Sequence, residues 1–590
     1  MSRVTNRAAL SSLWRQRCGP IVGMTIIEGR VSVGQYLATR LLQLGVRHVF
    51  GLPGDFNLNL LDEMATVDGI EWVGSSNELN AAYSADGYAR IGRHAGALVT
   101  TFGVGELSAI NGIAGSFAEH VPVIHIGGLP SRASMAAGAP LHHTLLDGDY
   151  GHFVRMFREV TVADAVIDEE NAASEIDRIL VAMISASRPV YLGVPLDVAR
   201  SLVDAGPLAT RLVPLASNGP ALLAFATALT AALADARSVV VLAGHDIHRR
   251  GMEGAVAALA DVPGVLIASQ SGSKAILDET HPASLGTYLG ATTRSAESRD
   301  RVDGAEHLVM IGTAFSDFTT GFFTHRYDPA EGIELALDHA RIGHAIYPDV
   351  RLEDSVAALR IAVISAGLER ARAESGLVDQ REMQEPETLL GHAALTQAAF
   401  WSEVQCWLEP DTTIAAEAGT AFYGVLDLDL PERTDLMGQP VWSSIGFTLP
   451  ATFGGMLARP DRRPVLFIGD GSAQLTVQEL GHLYSYGTSY GSSPVVFLLD
   501  NAGYTVERKI QSPDARYQDI VRWNWDLVPA AFGADGVLVE AVTTHGELRA
   551  ALHAARSRDR GAFIRVVLPR DDAPRLLEVL AQGIAETNKS

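Results

Sequence analysis

Cysteine and lysine are the residues that this 590-residue sequence uses least. Cys18 and Cys406 are the only cysteines, which excludes a disulfide scaffold and a cysteine-rich zinc site and predicts a reducing, cytoplasmic location. The only lysines are Lys274, Lys509 and Lys589. None of them stands in a pattern typical of a lysine that forms a Schiff base with a substrate.

Long apolar runs and basic blocks are missing as well. No apolar run reaches the ~18 residues that a membrane-spanning helix needs. The net charge is -23, and no cluster of basic residues offers a surface for nucleic acid or for an anionic membrane. We therefore expect neither of these as a partner. The hydrophobic content of 47% is enough to form sizeable buried cores.

Short β-branched segments alternate with helical patterns along most of the chain. Such alternation predicts parallel sheets with helices on both faces. The segment "SRPVYLGVPLDVA" at residues 187–199 is similar to "DRGAFIRVVLPRDDA" at residues 559–573. The predicted fold is therefore α/β, with three doubly wound parallel-sheet domains of which the outer two are related. The predicted boundaries are a disordered extension at 1–25 and domains at 26–202, 218–374 and 390–575.

An acidic turn follows one of the predicted strands. The strand "VLFI" leads into Gly469-Asp470-Gly471-Ser472, and a helix is predicted from about Ala473. This places a carboxylate at the end of a strand where doubly wound sheets bind ligands, beside a helix start that offers free N–H groups to an anion. An ordinary tight turn would give the same four letters.

A second polar turn follows the next strand, "PVVFLL", in the form Asp500-Asn501-Ala502-Gly503. The two strand ends together offer the oxygen ligands that Mg²⁺ prefers. From Pro464 to Glu507 there is no lysine or arginine. A diphosphate bound here would need a metal ion and a helix N-terminus to balance its charge.

Two adjacent histidines, His142 and His143, lie in "PLHHTLLDGD". On a helix or a strand such neighbours would point in different directions, but in a loop both can face one site. Histidine donates and accepts protons near neutral pH, so the pair is a candidate for catalysis. A solvated pair with no catalytic role is the ordinary alternative.

Several long motifs, in order, resemble one known family. They include "FGLPGDFNLNLLD", "NELNAAYSADGYAR", "LHHTLLDGDY", "QPVWSSIGFTLPA", "GDGSAQLTVQELG" and "NAGYTVER". Over residues 26–575 the chain resembles the thiamine diphosphate-dependent 2-oxo-acid decarboxylases that act on pyruvate, indolepyruvate or phenylpyruvate. "YTVER" and "WNW" are most similar to bacterial indolepyruvate or broad-range decarboxylases.

The resemblance implies a set of site residues. Glu78 would bond N1′ of the aminopyrimidine, and Ile445 would hold the coenzyme in a bent shape. The implied catalytic residues are Glu78, Asp55, His142, His143 and Glu507. The implied coenzyme-binding residues are Glu78, Thr101, Gly419, Thr420, Ser443, Ile445, Gly469, Asp470, Gly471, Ser472, Asn501, Tyr504 and Val506. The implied Mg²⁺ ligands are Asp470, Asn501 and the carbonyl of Gly503.

Each of these residues also has an ordinary structural explanation. Asp55 could cap a helix, Ile445 could be a core residue, and Glu507 could be a surface acid paired with Arg508. Because the motifs occur together and in the same order as in the family, we expect the functional interpretation.

The implied reaction is the non-oxidative decarboxylation of a 2-oxo acid to an aldehyde and carbon dioxide. Residues 26–202 would bind the pyrimidine, and residues 390–575 would bind the diphosphate and Mg²⁺. In the family these two halves come from different subunits, so we expect a homodimer or a dimer of dimers.

Three positions and one five-residue segment depart from the family pattern. Asp500 stands where Asn is usual, Ser443 where Gly is usual, and "KIQSP" at 509–513 replaces an Ile-His-Gly sequence. Ala418 is small where relatives carry a polar side chain, which predicts a pocket suited to aromatic or branched 2-oxo acids. Two alternatives stay open: a carboligase of the acetolactate-synthase or benzaldehyde-lyase type, and an inactive, coenzyme-binding assembly protein.

Overall fold

The structure, a computed structural model, describes residues 29–368 and 391–587. The chain divides into two compact units that separate after Leu215, except that Arg90–Arg93 group with the second unit. The predicted disordered extension at 1–25 lies outside the described residues. Among the helices in the described ranges, none is long and apolar enough to cross a membrane.

The first unit contains a six-stranded sheet in which all paired strands are parallel. Its strands, in spatial order, are Glu71–Gly74, His48–Gly51, Gly96–Thr101, Val123–Leu129, Val190–Pro195 and Asp164–Val166. A separate antiparallel pair joins Arg30–Ser32 to Leu202–Asp204. The α-helices are Val33–Gln43, Leu58–Met64, Glu78–Gly92, Val104–Ala118, Arg132–Ala136, His152–Arg158 and Ala172–Ala186, with a 3₁₀ helix at Gly206–Ala209.

The second unit contains two large sheets, and the first of these has seven strands. In spatial order they are Ser284–Thr287, Val265–Ser269, Val239–Ala243, Leu308–Ile311, Ile333–Leu335, His339–Ile342 and Ala345–Pro348. The last two strands each pair antiparallel with the strand before them, and the other neighbours pair parallel. The helices around this sheet are Gly219–Ala232, Asp246–Arg249, Glu253–Ala260, Ser271–Ser273 (3₁₀), Ala296–Asp303, Asp317–Thr320 and Leu352–Ala366.

The other sheet of the second unit has six strands, all of them parallel. In spatial order they are Asp435–Met437, Thr412–Ala416, Arg463–Gly469, Val495–Asp500, Ala562–Val567 and Leu538–Val542. Its α-helices are Gln397–Trp407, Thr420–Leu426, Thr448–Ala458, Asp470–Thr476, Leu480–Ser489, Thr505–Ile510, Val528–Ala531, His545–Ala555 and Arg575–Thr587. The 3₁₀ helices are Val477–Glu479, Arg516–Gln518 and Trp525–Leu527.

The two six-stranded sheets have the same strand order. When the strands of each are numbered along the chain, both sheets read 2-1-3-4-6-5. The seven-stranded sheet reads 3-2-1-4-5-6-7 instead. The predicted fold class, three α/β domains with related outer domains, is therefore confirmed. Each large sheet lies inside one of the ranges 26–202, 218–374 and 390–575, and the boundaries themselves stay predictions.

Buried apolar strands form the core of the last sheet and end in polar groups at its edge. Phe467 and Phe497 stack with ring centroids 4.9 Å apart, and Trp401 packs against the first of them. Both strands are buried along nearly their whole length, as expected for a parallel sheet covered on both faces. One boundary differs from expectation. The helix predicted from Ala473 begins at Asp470, whose own carboxylate accepts a hydrogen bond from Gly471 N–H at 2.8 Å.

Candidate active site

A cavity of about 180 Å³ lies in the second unit, where three parallel strands of the last sheet end. The residues that line it are Phe318, Ala418, Gly419, Thr420, Ala421, Phe422, Tyr423, Gln439, Pro440, Ser443, Ile445, Gly469, Asp470, Gly471, Ser472, Asn501, Gly503, Tyr504, Thr505, Val506 and Glu507. No lysine or arginine is among them. The structure thus brings together every coenzyme and metal residue predicted in the second unit.

The two polar turns meet at the floor of this cavity. Asp470 is 1% exposed, and its carboxylate accepts hydrogen bonds from the backbone N–H groups of Gly471 and Ala502. Burial, together with the nearby carboxylate of Asp500, raises the pKa of Asp470 to about 7. Asp500 pairs with the guanidinium of Arg565 at 3.5 Å, but no lysine or arginine among the described residues pairs with Asp470. The buried carboxylate of Asp470 is therefore open to a bound cation.

The donor set at this point fits a divalent cation. Asn501 is buried, and its Oδ1 has no hydrogen-bond partner among the described residues. Carboxylate, amide and carbonyl oxygens are the ligands that Mg²⁺ prefers. The guanidinium of Arg508 donates to the carbonyls of Asn501 and Ala502, at 3.3 and 2.7 Å, which fixes the loop. Arg508 forms its ion pair with Asp519, at 3.1 Å.

The turn that carries Ile445 explains one departure from the family pattern. Ser443 has a φ of +52°, a left-handed conformation that glycine adopts at little cost. Its hydroxyl donates to the carbonyl of Gln439 at 3.0 Å, within its own turn. The serine in place of glycine therefore costs backbone strain, while its hydroxyl is satisfied within the turn.

Asp55, His142 and His143 lie together in the first unit. The Nε2 atom of His142 is 3.0 Å from Asp55 Oδ2, and the two imidazole rings have centroids 4.5 Å apart. His142 stacks on Phe56 with centroids 5.0 Å apart. His143 has a φ of +64°, and this left-handed conformation lets two successive side chains lie next to each other. Its Nδ1 is buried without a partner among the described residues.

Glu78 and Thr101 are also neighbours in the first unit. Glu78 begins the helix Glu78–Gly92 and is half-buried. A Cβ atom added to Gly105 would lie 3.1 Å from Glu78 Oε1 and 3.4 Å from Thr101 Cγ2. The hydroxyl of Thr101 is buried and has no partner within the described ranges. A glutamate and an unpartnered hydroxyl therefore lie close to Gly105, where a side chain would fit only tightly.

The predicted catalytic group is divided between the units. Asp55, Glu78, His142 and His143 belong to the first unit, whereas Glu507 is exposed at the cavity of the second. The roles assigned to these residues stay predictions.

Some residues of the cavity were not predicted from the sequence. Phe318 comes from the helix Asp317–Thr320 of the seven-stranded domain and stacks on Tyr423, with centroids 6.3 Å apart. Phe422 and Gln439 were also missed. The repeated aromatic residues in "FSDFTTGFF" and "TAFYG" were the available signal for the aromatic wall.

Comparisons with known proteins identify the domains of the chain. Residues 31–148 match the model of the N-terminal TPP binding domain of thiamine pyrophosphate enzymes. Residues 226–361 match their central domain, and residues 423–566 match their C-terminal TPP binding domain. All three domains of a thiamine diphosphate enzyme are therefore present.

Relatives of nearly the same length narrow the class further. The chain is 43% identical over 556 residues to an alpha-keto-acid decarboxylase of Mycobacterium tuberculosis (strain H37Rv), covering 94% of this chain and 97% of the relative. It is 41% identical over 576 residues to an alpha-keto-acid decarboxylase of Mycobacterium ulcerans, covering 95% and 99%. The chain belongs to the thiamine diphosphate-dependent 2-oxo-acid decarboxylase family, as its motifs predicted.

Proposed function

We propose that the protein decarboxylates an aromatic or branched 2-oxo acid, such as phenylpyruvate or indolepyruvate, to the aldehyde and carbon dioxide. The observation that carries this proposal is the cavity without basic residues in which Asp470 and the unpartnered Asn501 Oδ1 meet. A cavity that lacks basic side chains can bind a diphosphate only together with a divalent cation. We assign that cation as Mg²⁺, with Asp470, Asn501 and the Gly503 carbonyl as its ligands.

Thiamine diphosphate supplies the electron sink for loss of carbon dioxide. The protein's own residues orient it and manage protons. Glu78 would hold a proton at N1′ of the aminopyrimidine, and Ile445 would support the bent coenzyme from the cavity wall. Asp55 would keep His142 oriented through their 3.0 Å contact, so that the histidine pair can donate and remove protons at the substrate.

The shape of the cavity supports the substrate class. Ala418 leaves room at one wall, and Phe318, Phe422 and Tyr423 form an aromatic wall. An aromatic or branched side chain buries apolar area against such a wall, whereas the methyl group of pyruvate buries little.

The separation of the predicted site residues between the two units supports a homo-oligomer. Those that would bind the pyrimidine lie in the first unit, and those that would bind the metal lie in the second. We propose that two copies of the chain complete each site, in a dimer or a dimer of dimers.

The test is carbon dioxide release by the purified protein with thiamine diphosphate and Mg²⁺, across phenylpyruvate, indolepyruvate, 4-methyl-2-oxopentanoate and pyruvate. We expect the larger acids to have the higher kcat/KM and the product to be the free aldehyde. A clear preference for pyruvate would contradict the substrate class. A condensed hydroxyketone would favour a carboligase, and no release would favour an assembly protein.

A size change in the pocket tests the substrate class directly. Replacing Ala418 by Leu should lower kcat/KM for indolepyruvate by about tenfold or more relative to pyruvate, because the added side chain fills the space we assign to the ring. Ala399→Leu, on the helix Gln397–Trp407 and outside the cavity lining, serves as the control and should leave the ratio unchanged.

A further inference from the structure

Glu417 is a buried acid next to the cavity that the proposed function does not use. It directly follows the strand Thr412–Ala416 and is 1% exposed. Its backbone N–H donates to the carbonyl of Phe467 at 3.0 Å, which fixes it to the neighbouring strand. It is not among the residues that line the cavity, although Ala418 beside it is.

The two carboxylate oxygens of Glu417 bond to different segments of the chain. Oε1 accepts a hydrogen bond from Ala418 N–H at 3.1 Å. Oε2 accepts from the backbone N–H and the hydroxyl of Thr448, at 3.2 and 2.6 Å. The backbone N–H of Gly446 also donates to this carboxylate. One side chain therefore joins two segments that are about thirty residues apart in the sequence.

Both joined segments form walls of the cavity. The first wall is Ala418-Gly419-Thr420, and the second is the turn at 443–446 that carries Ile445. Gln439 holds the start of this turn, because its Oε1 accepts from Ser444 N–H at 2.9 Å. Glu417 holds its end, at Gly446 and Thr448.

This turn needs such support. Ser443 and Gly446 have φ values of +52° and +86°, so two of its four residues adopt a left-handed conformation. A left-handed non-glycine residue persists only where surrounding contacts determine it. A neutral side chain could not accept this many hydrogen bonds, since a glutamine has one acceptor oxygen in place of two.

Keeping an acid at this position carries a free-energy cost. Burial raises the pKa of Glu417 to about 7, and no lysine or arginine pairs with it within the described ranges. An uncompensated buried carboxylate is unfavourable, and here only neutral donors offset that penalty.

We propose that Glu417 is a positioning residue that fixes the distance between the Gly419 wall and the Ile445 turn, so that the coenzyme fits between them. It acts through these two segments and does not touch the coenzyme. The inference rests on the proposed function, because it takes Gly419 and Ile445 as coenzyme contacts.

Thr448 provides a test that leaves the carboxylate in place. Thr448→Val removes the 2.6 Å hydrogen bond while keeping the size of the side chain. Thr452→Val is the matched control, since Thr452 is equally buried one turn along the same helix and its hydroxyl donates to the carbonyl of Thr448 rather than to Glu417. Binding of thiamine diphosphate with Mg²⁺ is measured by calorimetry, and Tm is measured on the coenzyme-free protein.

We expect both valine variants to lower Tm by similar amounts, but only Thr448→Val to raise the Kd of the coenzyme, by about tenfold. Thr448→Ser should restore tight binding, and Glu417→Gln should weaken it at least as much as Thr448→Val. Coenzyme binding within about twofold of wild type in both Thr448→Val and Glu417→Gln would overturn the inference. If Glu417→Gln does not fold, the two threonine variants decide alone.

The result separates this inference from the proposed function. A wild-type protein that does not bind thiamine diphosphate would refute both. A wild-type protein that binds it, alongside an unaffected Thr448→Val variant, would refute only the role of Glu417.

Discussion

Ser443 and His143 show how a single backbone angle decides what a side chain can do. Both have φ values near +60°, in the region that L residues seldom adopt. At His143 this angle places two successive imidazoles side by side beside Phe56. At Ser443 it turns the hydroxyl back to its own turn. Motifs predicted that both residues belong to a site, but no sequence pattern gives the angle that puts them there.

The strain at Ser443 leads to a stability prediction. Ser443→Gly should raise Tm or leave it unchanged, because glycine adopts this φ without the cost of about 1 kcal/mol that other residues incur. Ser443→Val should lower the free energy of unfolding by about 1–2 kcal/mol, since a β-branched residue is disfavoured here. Thermal unfolding of the coenzyme-free protein measures both.

Ser444→Gly is the matched control for this prediction. Its φ is not positive, so glycine should destabilise it by about 0.5–1 kcal/mol through added freedom in the unfolded chain. A Ser443→Gly variant that lost as much stability as Ser444→Gly would contradict the argument.

Glu106 leads to a prediction about pH. It is fully buried, accepts hydrogen bonds from Tyr191 Oη and Gly103 N–H at 2.5 and 2.7 Å, and has a pKa raised to about 7 by burial. An acid whose folded pKa exceeds its unfolded value binds its proton more tightly when folded. Its contribution to stability is complete below about pH 4.5 and is lost as the pH rises through about 7.

Glutamine resembles the protonated acid. The Tm of Glu106→Gln relative to that of wild type should therefore be higher at pH 8 than at pH 5.5. The measurement is the difference in Tm between variant and wild type at the two pH values. Glu170→Gln, at an exposed position of the same unit, is the control and should show no such change. An equal difference at both pH values would show that Glu106 does not titrate in this range.

The elements around the cavity could largely be predicted, because each follows from local sequence. The two strands and the polar turns after them come from short apolar runs ended by Gly, Asp and Asn, and parallel strands place their carboxyl ends at one edge. The start of the helix was missed by three residues, since Asp470 is itself the first helical residue and its carboxylate accepts a hydrogen bond from Gly471 N–H in the first turn. The helix Asp317–Thr320 was missed as a part of the site, because its contact with Tyr423 spans about a hundred residues.

The loop that follows the strand Val495–Asp500 depends on one glycine. Gly503 has a φ of +131°, and a Cβ atom there would overlap the carbonyl oxygen of Gln518 and contact Arg508. Gly503→Ala should lower the free energy of unfolding by about 3 kcal/mol, from backbone strain and overlap together. It should also abolish Mg²⁺-dependent binding of the coenzyme, because the carbonyl we assign to the metal would move.

Gly491→Ala is the control for this loop. Gly491 also has a positive φ, of +68°, but a Cβ atom there meets nothing within 4 Å. Only the strain of about 1 kcal/mol applies, and coenzyme binding should be unaffected. Urea unfolding and calorimetry on both variants make the comparison. Equal losses in the two would show that the contact with Gln518 is unimportant.

At the scale of the whole chain, the similar segments at 187–199 and 559–573 predicted the relation between the outer domains, and the shared strand order bears this out. The central sheet has a different strand order and an antiparallel end, and no similar segment in the sequence predicted them. The pairing of site residues from the outer domains could be expected only from the family, because no local pattern says which copy of a chain supplies a neighbour.

A mixing experiment tests whether two copies share each site. Glu78→Gln and Asp470→Ala each remove a predicted site residue, one in the first unit and one in the second, so each variant alone should be inactive. If the sites form between copies, a hybrid dimer has one site with both residues intact and one with neither. Random mixing then gives about half hybrids, and so about one quarter of wild-type activity. Hybrid dimers are formed by co-expression of the two variants, and carbon dioxide release is measured on the purified mixture.

The control is a mixture of Glu78→Gln with the double variant Glu78→Gln/Asp470→Ala, which should stay inactive under either arrangement. If each site were built within one chain, the first mixture would stay inactive as well, because no copy would hold both residues.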